Sequence, residues 1–212
     1  MIVKVCGIRS AEIAEVARES GADWLGLVFE PRSPRFVDDA AAQAVRQAAG
    51  DLDLVGVFVS PQPADCEEAA TRYGLAAVQV HGDASPSFVE ACAVPVIRGL
   101  NVRDPHSAFT TDWWPDGIVL LDGRPEPGEL PGGTGNRVPL PIARDMARHR
   151  RVVLAGGLDA TTVDEAVRFV QPYGVDASSG LESSRGTKDP ARVRDYVIAA
   201  RAAFSALSAA AP

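Results

Sequence analysis

Short apolar runs alternate with helix-like stretches along the whole chain, and this alternation constrains the fold more than any other feature. The runs are rich in Val, Ile, Leu and Phe and cover 2–6, 24–29, 54–59, 76–80, 95–100, 117–121, 152–156 and 174–179. Most are continuously apolar, as expected for strands buried on both faces of a parallel sheet. The stretches between them have helical composition and cover 10–20, 38–49, 63–73, 86–92, 103–109, 140–149, 161–170 and 190–210.

Eight strand–helix units predict an α/β fold of the (βα)8 TIM-barrel type. The chain has 212 residues, which is the length of one domain, and no linker divides it. We therefore expect residues 1–212 to form a single (βα)8 barrel domain. The Pro- and Gly-rich stretch 123–136 follows the sixth run, and a connection of that length inside a compact domain is more often functional than a linker.

Charge and composition exclude several classes of partner. The formal net charge is −7, which argues against a surface built for nucleic acid or anionic lipid. No apolar run is long enough to cross a membrane, and the first residues do not resemble a signal peptide. The three cysteines are too scattered for disulfides, and no two of the three histidines have metal-ligand spacing. We expect a reduced cytoplasmic protein with no metal, nucleic-acid partner or membrane partner.

A parallel barrel carries its chemistry on the loops that follow the carboxyl ends of its strands. Small residues follow the last two strands of this chain, at Gly156, Gly157, Ser178, Ser179 and Gly180. Their backbone N–H groups can approach a ligand closely, and such barrels often bind phosphate at this place. Glycine pairs also occur in ordinary tight turns, but both loops together favour a phosphate site.

Cys6 ends the first run, Asp122 directly follows the sixth run, and each has two interpretations. Cys6 is either a small core residue or a thiolate base, and cations near it would lower its pKa. Lys4 is two residues before Cys6, so its side chain is expected on the same face of the strand and could be such a cation. Asp122 either caps a turn or is a proton donor whose pKa an apolar setting raises. An acid and a base in one pocket would suit a proton-transfer isomerisation.

Three further polar residues follow strand ends. His81 is either a structural histidine or a pocket residue. Arg35 is either a solvated charge or a planar fork that binds a carboxylate. Arg98 lies in the fifth run, at the position where we expect the fifth strand to end.

Taken together, these strand ends resemble the phosphoribosylanthranilate isomerase family of tryptophan biosynthesis. The matching segments run in family order over essentially the whole chain and include KVCGI (4–8), GLVFEPRSPRFV (26–37), VQVHG (78–82), LLD (120–122), GGTG (132–135), LAGGL (154–158) and GVDASSGLESSRGTKD (174–189). After GGTG the chain reads NRVPLPIA, which departs from the family pattern and leaves the substrate preference open.

The resemblance implies an Amadori rearrangement of N-(5′-phosphoribosyl)anthranilate to 1-(o-carboxyphenylamino)-1-deoxyribulose 5-phosphate. By the family pattern Cys6 is the general base, Asp122 the general acid and Arg35 the ligand of the anthranilate carboxylate. His81 and Asp176 would line the pocket, and the residues that follow strands seven and eight would hold the phosphate: Gly156, Gly157, Ser178, Ser179 and Gly180. No cofactor is implied, because the substrate nitrogen serves as the electron sink.

Other functions remain open. The histidine-pathway aminoaldose isomerases run the same chemistry, but typically have an aspartate where this chain has Cys6, and their substrate carries a second phosphate. A paralogue acting on a related aryl-aminoribose phosphate in secondary metabolism would have the same pattern. A barrel that binds phosphosugars without turnover is the non-enzymatic alternative. The expected partner is a small phosphosugar, and the chain is expected to be a monomer, with a dimer as the alternative.

Overall fold

Eight parallel strands form the centre of the structure, a computed structural model that describes residues 1–102, 117–123 and 136–209. They are β1 (Ile2–Cys6), β2 (Trp24–Val28), β3 (Asp53–Val59), β4 (Leu75–His81), β5 (Val96–Val102), β6 (Ile118–Gly123), β7 (Arg151–Leu154) and β8 (Gly174–Ala177). Each strand pairs in parallel with the next, and β8 pairs with β1, which closes the barrel. The predicted α/β (βα)8 TIM barrel is confirmed.

Seven α-helices lie within the described ranges, six between barrel strands and the last after β8. They are α1 (Ala11–Glu19), α2 (Asp39–Ala48), α3 (Pro63–Tyr73), α4 (Pro86–Ala91), α5 (Leu140–Ala147), α6 (Val163–Val170) and α7 (Pro190–Ala209). None of them is both long and apolar enough for a membrane crossing. The predicted helix 103–109 and the GGTG segment 132–135 lie outside the described residues.

Side-chain caps explain where two of these helices begin. Ser10 Oγ accepts a hydrogen bond from the backbone N–H of Ile13 at the start of α1. Asp38 Oδ1 accepts one from the N–H of Ala41 at 2.8 Å at the start of α2. Each cap gives a partner to an N–H group that the first turn leaves unpaired.

Side chains along each strand alternate between the helix layer and the inside of the barrel. On β6, Val119 and Leu121 belong to the large apolar cluster that also contains the buried faces of the helices. Leu120 belongs instead to a separate, smaller apolar cluster inside the barrel. Because alternate residues of a strand share a face, Asp122 points inward like Leu120. The apolar interior ends where such polar side chains begin, near the carboxyl ends of the strands.

Two features differ from the sequence prediction. The fifth strand continues to Val102, so Arg98 lies inside β5 and donates from Nη1 to the carbonyl of Val80 at 3.3 Å. After β8 the chain forms a 3-10 helix (Ser179–Leu181) and an antiparallel hairpin of β9 (Glu182–Ser184) and β10 (Thr187–Lys188). These strands are short and polar, so their sequence lacks the apolar pattern that predicts a strand.

Candidate active site at the carboxyl ends of the strands

Three of the predicted site residues lie at the carboxyl ends of their strands. Cys6 and His81 are the last residues of β1 and β4, and Asp122 is the last but one of β6. All three side chains are buried. Parallel strands of a closed barrel end at the same rim, so the fold brings these residues to one end of the molecule.

Cys6 is held between the first two strands. Its backbone is in register with Gly26 of β2, where a Cβ atom would lie only 2.7 Å from the Cys6 Sγ. Gly26 therefore makes room for the sulfur. The following residue, Gly7, has a φ of +76°, and its N–H donates to the carbonyl of Gly26 at 2.9 Å. The positive φ of Gly7 changes the direction of the backbone directly after Cys6. Glycine adopts this conformation more easily than other residues, which explains why it follows the cysteine.

A buried ion pair lies beside Cys6 inside the barrel. Lys4 and Asp176 are register partners on β1 and β8, and Lys4 Nζ lies 3.0 Å from Asp176 Oδ1. Both side chains are almost completely shielded from solvent. The expectation that Lys4 shares the face of Cys6 agrees with this geometry, since the Lys4 ammonium interacts with the Cys6 sulfur as well as with Asp176.

Nearby cations act to lower the pKa of the Cys6 thiol, as expected, but the pKa is nevertheless raised. Burial raises this pKa, and the nearby carboxylate of Asp176 adds to the increase. Lys4 and Lys188 act in the opposite direction but do not outweigh burial. A charged thiolate in a dry site loses its hydration, which is why burial dominates. Cys6 is therefore a thiol at neutral pH.

Asp122 lies close to one of the predicted phosphate loops. Its Oδ1 accepts a hydrogen bond from the N–H of Gly123 at 2.7 Å. A Cβ atom at Gly156 would lie 3.2 Å from the same oxygen, so the loop after β7 passes directly beside the carboxyl group. This loop turns through Gly156 and Gly157, whose φ values are +88° and +65°. Glycine is needed there both for the backbone conformation and for the close approach.

The second predicted phosphate loop begins at Ser178 and continues into the 3-10 helix that contains Ser179 and Gly180. A Cβ atom at Gly180 would lie 2.4 Å from the carbonyl oxygen of Leu158, in the loop after β7. The absence of a side chain thus lets the two loops contact each other. Neighbouring loops of this kind can direct backbone N–H groups toward one anion, as the sequence predicts.

His81 is buried against β5 and is uncharged at neutral pH. Burial lowers its pKa to about 4, and the cations Lys4 and Arg98 contribute to the decrease. Its Nε2 lies 2.8 Å from the side-chain amide nitrogen of Gln79, which is two residues earlier on β4. Because the amide donates, Nε2 accepts and the ring proton is on Nδ1. Within the described residues, Nδ1 has no hydrogen-bond partner and is free to donate to a ligand.

Arg35 is not a solvated surface charge. Its side chain is buried, and its Nε and Nη2 donate to the two carboxylate oxygens of Glu182 at 2.6 and 3.0 Å. Glu182 also accepts from Lys188 Nζ at 2.8 Å and from the N–H of Gly186 at 3.0 Å. Burial alone would raise the pKa of Glu182, but the hydrogen bonds from Arg35 and Lys188 lower it, so Glu182 is a carboxylate.

Sequence reasoning missed Glu182 and Lys188 as members of the site. Both lie inside the segment GVDASSGLESSRGTKD, but charged residues in a polar loop are usually solvated, and nothing local marks them as buried. The described residues contain no group of three His, Cys, Asp or Glu side chains that could hold a metal ion.

Comparisons with known proteins identify the family. Residues 3–199 match the family model described as N-(5′-phosphoribosyl)anthranilate (PRA) isomerase. A relative from Roseiflexus sp. (strain RS-1), named N-(5′-phosphoribosyl)anthranilate isomerase, is 42% identical over 211 residues, which cover 95% of this chain and 98% of the relative.

Two solved structures extend the comparison to the fold. The phosphoribosyl anthranilate isomerase of Thermotoga maritima superposes with a TM-score of 0.87 at 31% identity, covering 95% of this chain and 100% of that chain. A phosphoribosyl anthranilate isomerase in complex with reduced 1-(o-carboxyphenylamino)-1-deoxyribulose 5-phosphate superposes with a TM-score of 0.79 at 30% identity, with the same two coverages.

Proposed function

The chain belongs to the N-(5′-phosphoribosyl)anthranilate isomerase family of tryptophan biosynthesis enzymes, and on that premise we propose how its own residues carry out the reaction. The substrate is N-(5′-phosphoribosyl)anthranilate and the product is 1-(o-carboxyphenylamino)-1-deoxyribulose 5-phosphate. The observation that carries the proposal is the placement of Cys6 and Asp122 at one rim of the barrel, with the glycine-rich loops beside Asp122.

Asp122 is the general acid of the first step. Its proton goes to the ring oxygen of the ribose, the bond between that oxygen and C1′ breaks, and the anthranilate nitrogen forms a protonated imine with C1′. The side chain is buried at the carboxyl end of β6, next to the loop proposed to hold the phosphate. A carboxyl group in such a place can donate a proton in a defined direction to a sugar whose phosphate is anchored nearby.

Cys6 is the general base of the second step. Its thiolate removes the proton from C2′, and the electrons of that bond move toward the imine nitrogen to give an enolamine. The enolamine then tautomerises to the ketone, so the reaction has no net gain or loss of atoms. Because burial raises the pKa of the thiol, Cys6 has to lose its proton before it can act as this base.

The remaining site residues bind the substrate. Arg35 binds the anthranilate carboxylate, and His81 and Asp176 line the part of the pocket that holds the sugar. The phosphate is bound by the residues after β7 and β8, namely Gly156, Gly157, Ser178, Ser179 and Gly180. The positive φ values of the first two and the close contact of the two loops support this assignment.

A direct assay tests the proposal. N-(5′-phosphoribosyl)anthranilate is generated in situ from anthranilate and phosphoribosyl pyrophosphate with a transferase, and its fluorescence is followed after this protein is added. We expect Cys6→Ser and Asp122→Asn each to reduce turnover about 10²- to 10⁴-fold, the usual contribution of a positioned acid or base. Cys66→Ser is the matched control, because Cys66 is a buried cysteine on α3 outside the site.

Each alternative gives a different result in the same assay. Near-normal turnover by Cys6→Ser would remove the cysteine from the mechanism. Folded wild-type protein that binds the substrate without forming ketose would be a phosphosugar-binding barrel. Turnover of a related aryl-aminoribose phosphate in preference to this substrate would indicate a paralogue of secondary metabolism. Whether the chain is a monomer or a dimer stays a prediction, which sedimentation of the purified protein tests.

A further inference from the structure

Three buried charged residues, Arg35, Glu182 and Lys188, lie beside Cys6, and we call them the Glu182 cluster. Of these three, only Arg35 has a role in the reaction proposed above. Their side chains are 10%, 5% and 2% exposed. Two cations share one carboxylate, so the cluster has a net charge of +1 within the part of the chain that the structure describes. A buried uncompensated charge is unfavourable unless an anion joins it.

The Glu182 cluster is in contact with the backbone next to Cys6. A Cβ atom at Gly7 would lie 2.7 Å from Arg35 Cδ and 3.2 Å from Lys188 Nζ. The Lys188 ammonium therefore lies over the residue that follows Cys6, and it interacts electrostatically with the sulfur. Lys188 also donates to Ser178 Oγ at 3.4 Å, in the loop after β8. The hairpin thus places one cation between the proposed base and the proposed phosphate loop.

The other charged groups that face Cys6 are Lys4 and its partner Asp176. Lys4, on the same strand, also lowers the pKa of Cys6, and Asp176 of β8, 3.0 Å from Lys4, opposes this effect. On β2, the neighbours of the sulfur are Gly26 and Val28, which are uncharged. His81 on β4 is a neutral imidazole. Lys188 is therefore a second cation near Cys6, and its carboxylate partner Glu182 is shared with Arg35.

We propose that Lys188 joins Lys4 in compensating the charge of the Cys6 thiolate, and that Glu182 holds the Lys188 ammonium in place and partly offsets its charge. Lys188 is a positioning residue in this account, because it acts through Cys6 and does not itself exchange a proton with the substrate. The inference rests on the proposed function for its catalytic meaning, since Cys6 has to ionise in order to act as the base.

The Glu182 cluster could either anchor the hairpin or determine the electrostatic environment of Cys6, and these two roles predict different effects of substitution on the Cys6 thiol. If the Glu182 cluster only anchors the hairpin, removing either partner of the Lys188–Glu182 pair weakens the same contact and changes the site in the same direction. If the cluster sets the charge at Cys6, removing the cation and removing the anion have opposite effects on the thiol. The sign of the change therefore separates the two explanations.

The test measures the thiolate of Cys6 by its ultraviolet absorbance as a function of pH in the full-length protein. The absorbance of the matching Cys6→Ser variant is subtracted, which removes the signals of Cys66, Cys92 and the tyrosines. We expect Lys188→Met to raise the midpoint of Cys6 ionisation by about one pH unit or more, the size expected for loss of a nearby opposite charge. Glu182→Gln should lower the midpoint, and Lys188→Arg should keep it near the wild-type value.

The results that overturn the proposal are equally defined. An unchanged midpoint in Lys188→Met, or a shift of both variants in the same direction, would leave the Glu182 cluster with an anchoring role only. If Lys188→Met does not fold, Glu182→Gln still decides, because a midpoint that stays or rises contradicts the inference. The titration requires no turnover. If the Cys6→Ser enzyme keeps its activity, Cys6 is not the base. The midpoints of Cys6 ionisation would still show whether Lys188 stabilises the thiolate.

Discussion

Arg35 is shared between the protein and its proposed ligand. Two of its five N–H groups, on Nε and Nη2, are taken by Glu182 in a bidentate ion pair. Within the described residues, Nη1 has no partner. The ion pair with Glu182 therefore fixes the plane of the guanidinium and leaves the Nη1 group available to a carboxylate of the substrate. Preorganisation of this kind reduces the entropy lost when the substrate binds.

Replacing Arg35 tests whether the planar guanidinium group, and not only its positive charge, is needed to bind the substrate. We expect Arg35→Ala to raise the KM for N-(5′-phosphoribosyl)anthranilate about 10- to 100-fold, the effect of losing a hydrogen-bonded charge, with a smaller change in kcat. Arg35→Lys keeps the charge but not the planar fork, so it should recover only part of the affinity. Steady-state kinetics of both variants provide the measurement.

Arg32 offers a matched control for this experiment. It lies in the same loop as Arg35, is exposed, and pairs with Glu30 at 2.7 Å. Arg32→Ala should leave KM close to the wild-type value. An equal rise of KM in Arg32→Ala and Arg35→Ala would mean that the loop contributes only general positive charge.

At the residue scale, the sequence predicts the positions of site residues better than their partners. Cys6, His81 and Asp122 could be placed because each lies at the end of an apolar run that forms a buried strand. The partner of Arg35 is Glu182, which is 147 residues away, and no local pattern relates the two positions. Burial also reversed the expected direction of the Cys6 pKa, because solvation depends on the whole surroundings of the sulfur.

At the scale of elements, the hairpin of β9 and β10 is the part of the site that the sequence did not predict as structure. It carries Glu182 on its first strand and Lys188 on its second, and the turn between them contains Gly186. The barrel strands were predictable because burial on both faces requires continuous apolar runs. The hairpin is held by ion pairs and backbone contacts, which leave no apolar periodicity in the sequence.

The turn of this hairpin gives a prediction about the site. Gly186 has a φ of +83°, and a Cβ atom there would lie 2.5 Å from the carbonyl oxygen of Pro34, next to Arg35. Gly186→Ala should therefore push the hairpin away from the loop that carries Arg35. We expect a loss of about 1–3 kcal/mol in stability from the strained backbone and a several-fold rise in KM. Thermal unfolding and steady-state kinetics measure the two effects.

Gly21→Ala separates the backbone strain from the displacement of the hairpin. Gly21 also has a positive φ, of +94°, but a Cβ atom there would meet nothing closer than Arg201 Nε at 3.8 Å. This control should lose a similar amount of stability and keep the wild-type KM. A normal KM in Gly186→Ala would mean that the turn does not determine the position of Arg35.

At the scale of the whole molecule, closure of the barrel joins the two ends of the chain at the site. Lys4 and Asp176 are 172 residues apart in sequence and are register partners on the strands that close the sheet. The same closure buries Lys4, Asp176, His81 and Gln79 inside the barrel. Buried polar groups of this kind make the stability of the fold depend on the protonation states that it enforces.

His81 carries the clearest dependence of stability on pH. Its pKa is about 4 in the folded protein, because burial and the nearby cations Lys4 and Arg98 oppose the charged form, whereas an unfolded histidine titrates near 6.5. Between these values the unfolded chain binds more protons, so the free energy of unfolding falls as the pH decreases from about 6.5 to about 4. By pH 5 this group should account for a loss of about 2 kcal/mol.

The measurement is chemical denaturation at a series of pH values between about 7 and 5, above the range in which ordinary carboxylates titrate. His81→Asn should flatten the dependence of the unfolding free energy on pH, whatever its effect on the absolute stability. His149→Asn is the matched histidine-to-asparagine control, because His149 is exposed on the surface after α5, outside the barrel. Equal slopes in the wild-type protein and His81→Asn would mean that the folded barrel accommodates a charged His81, and the neutral imidazole proposed to line the pocket would then have to be abandoned.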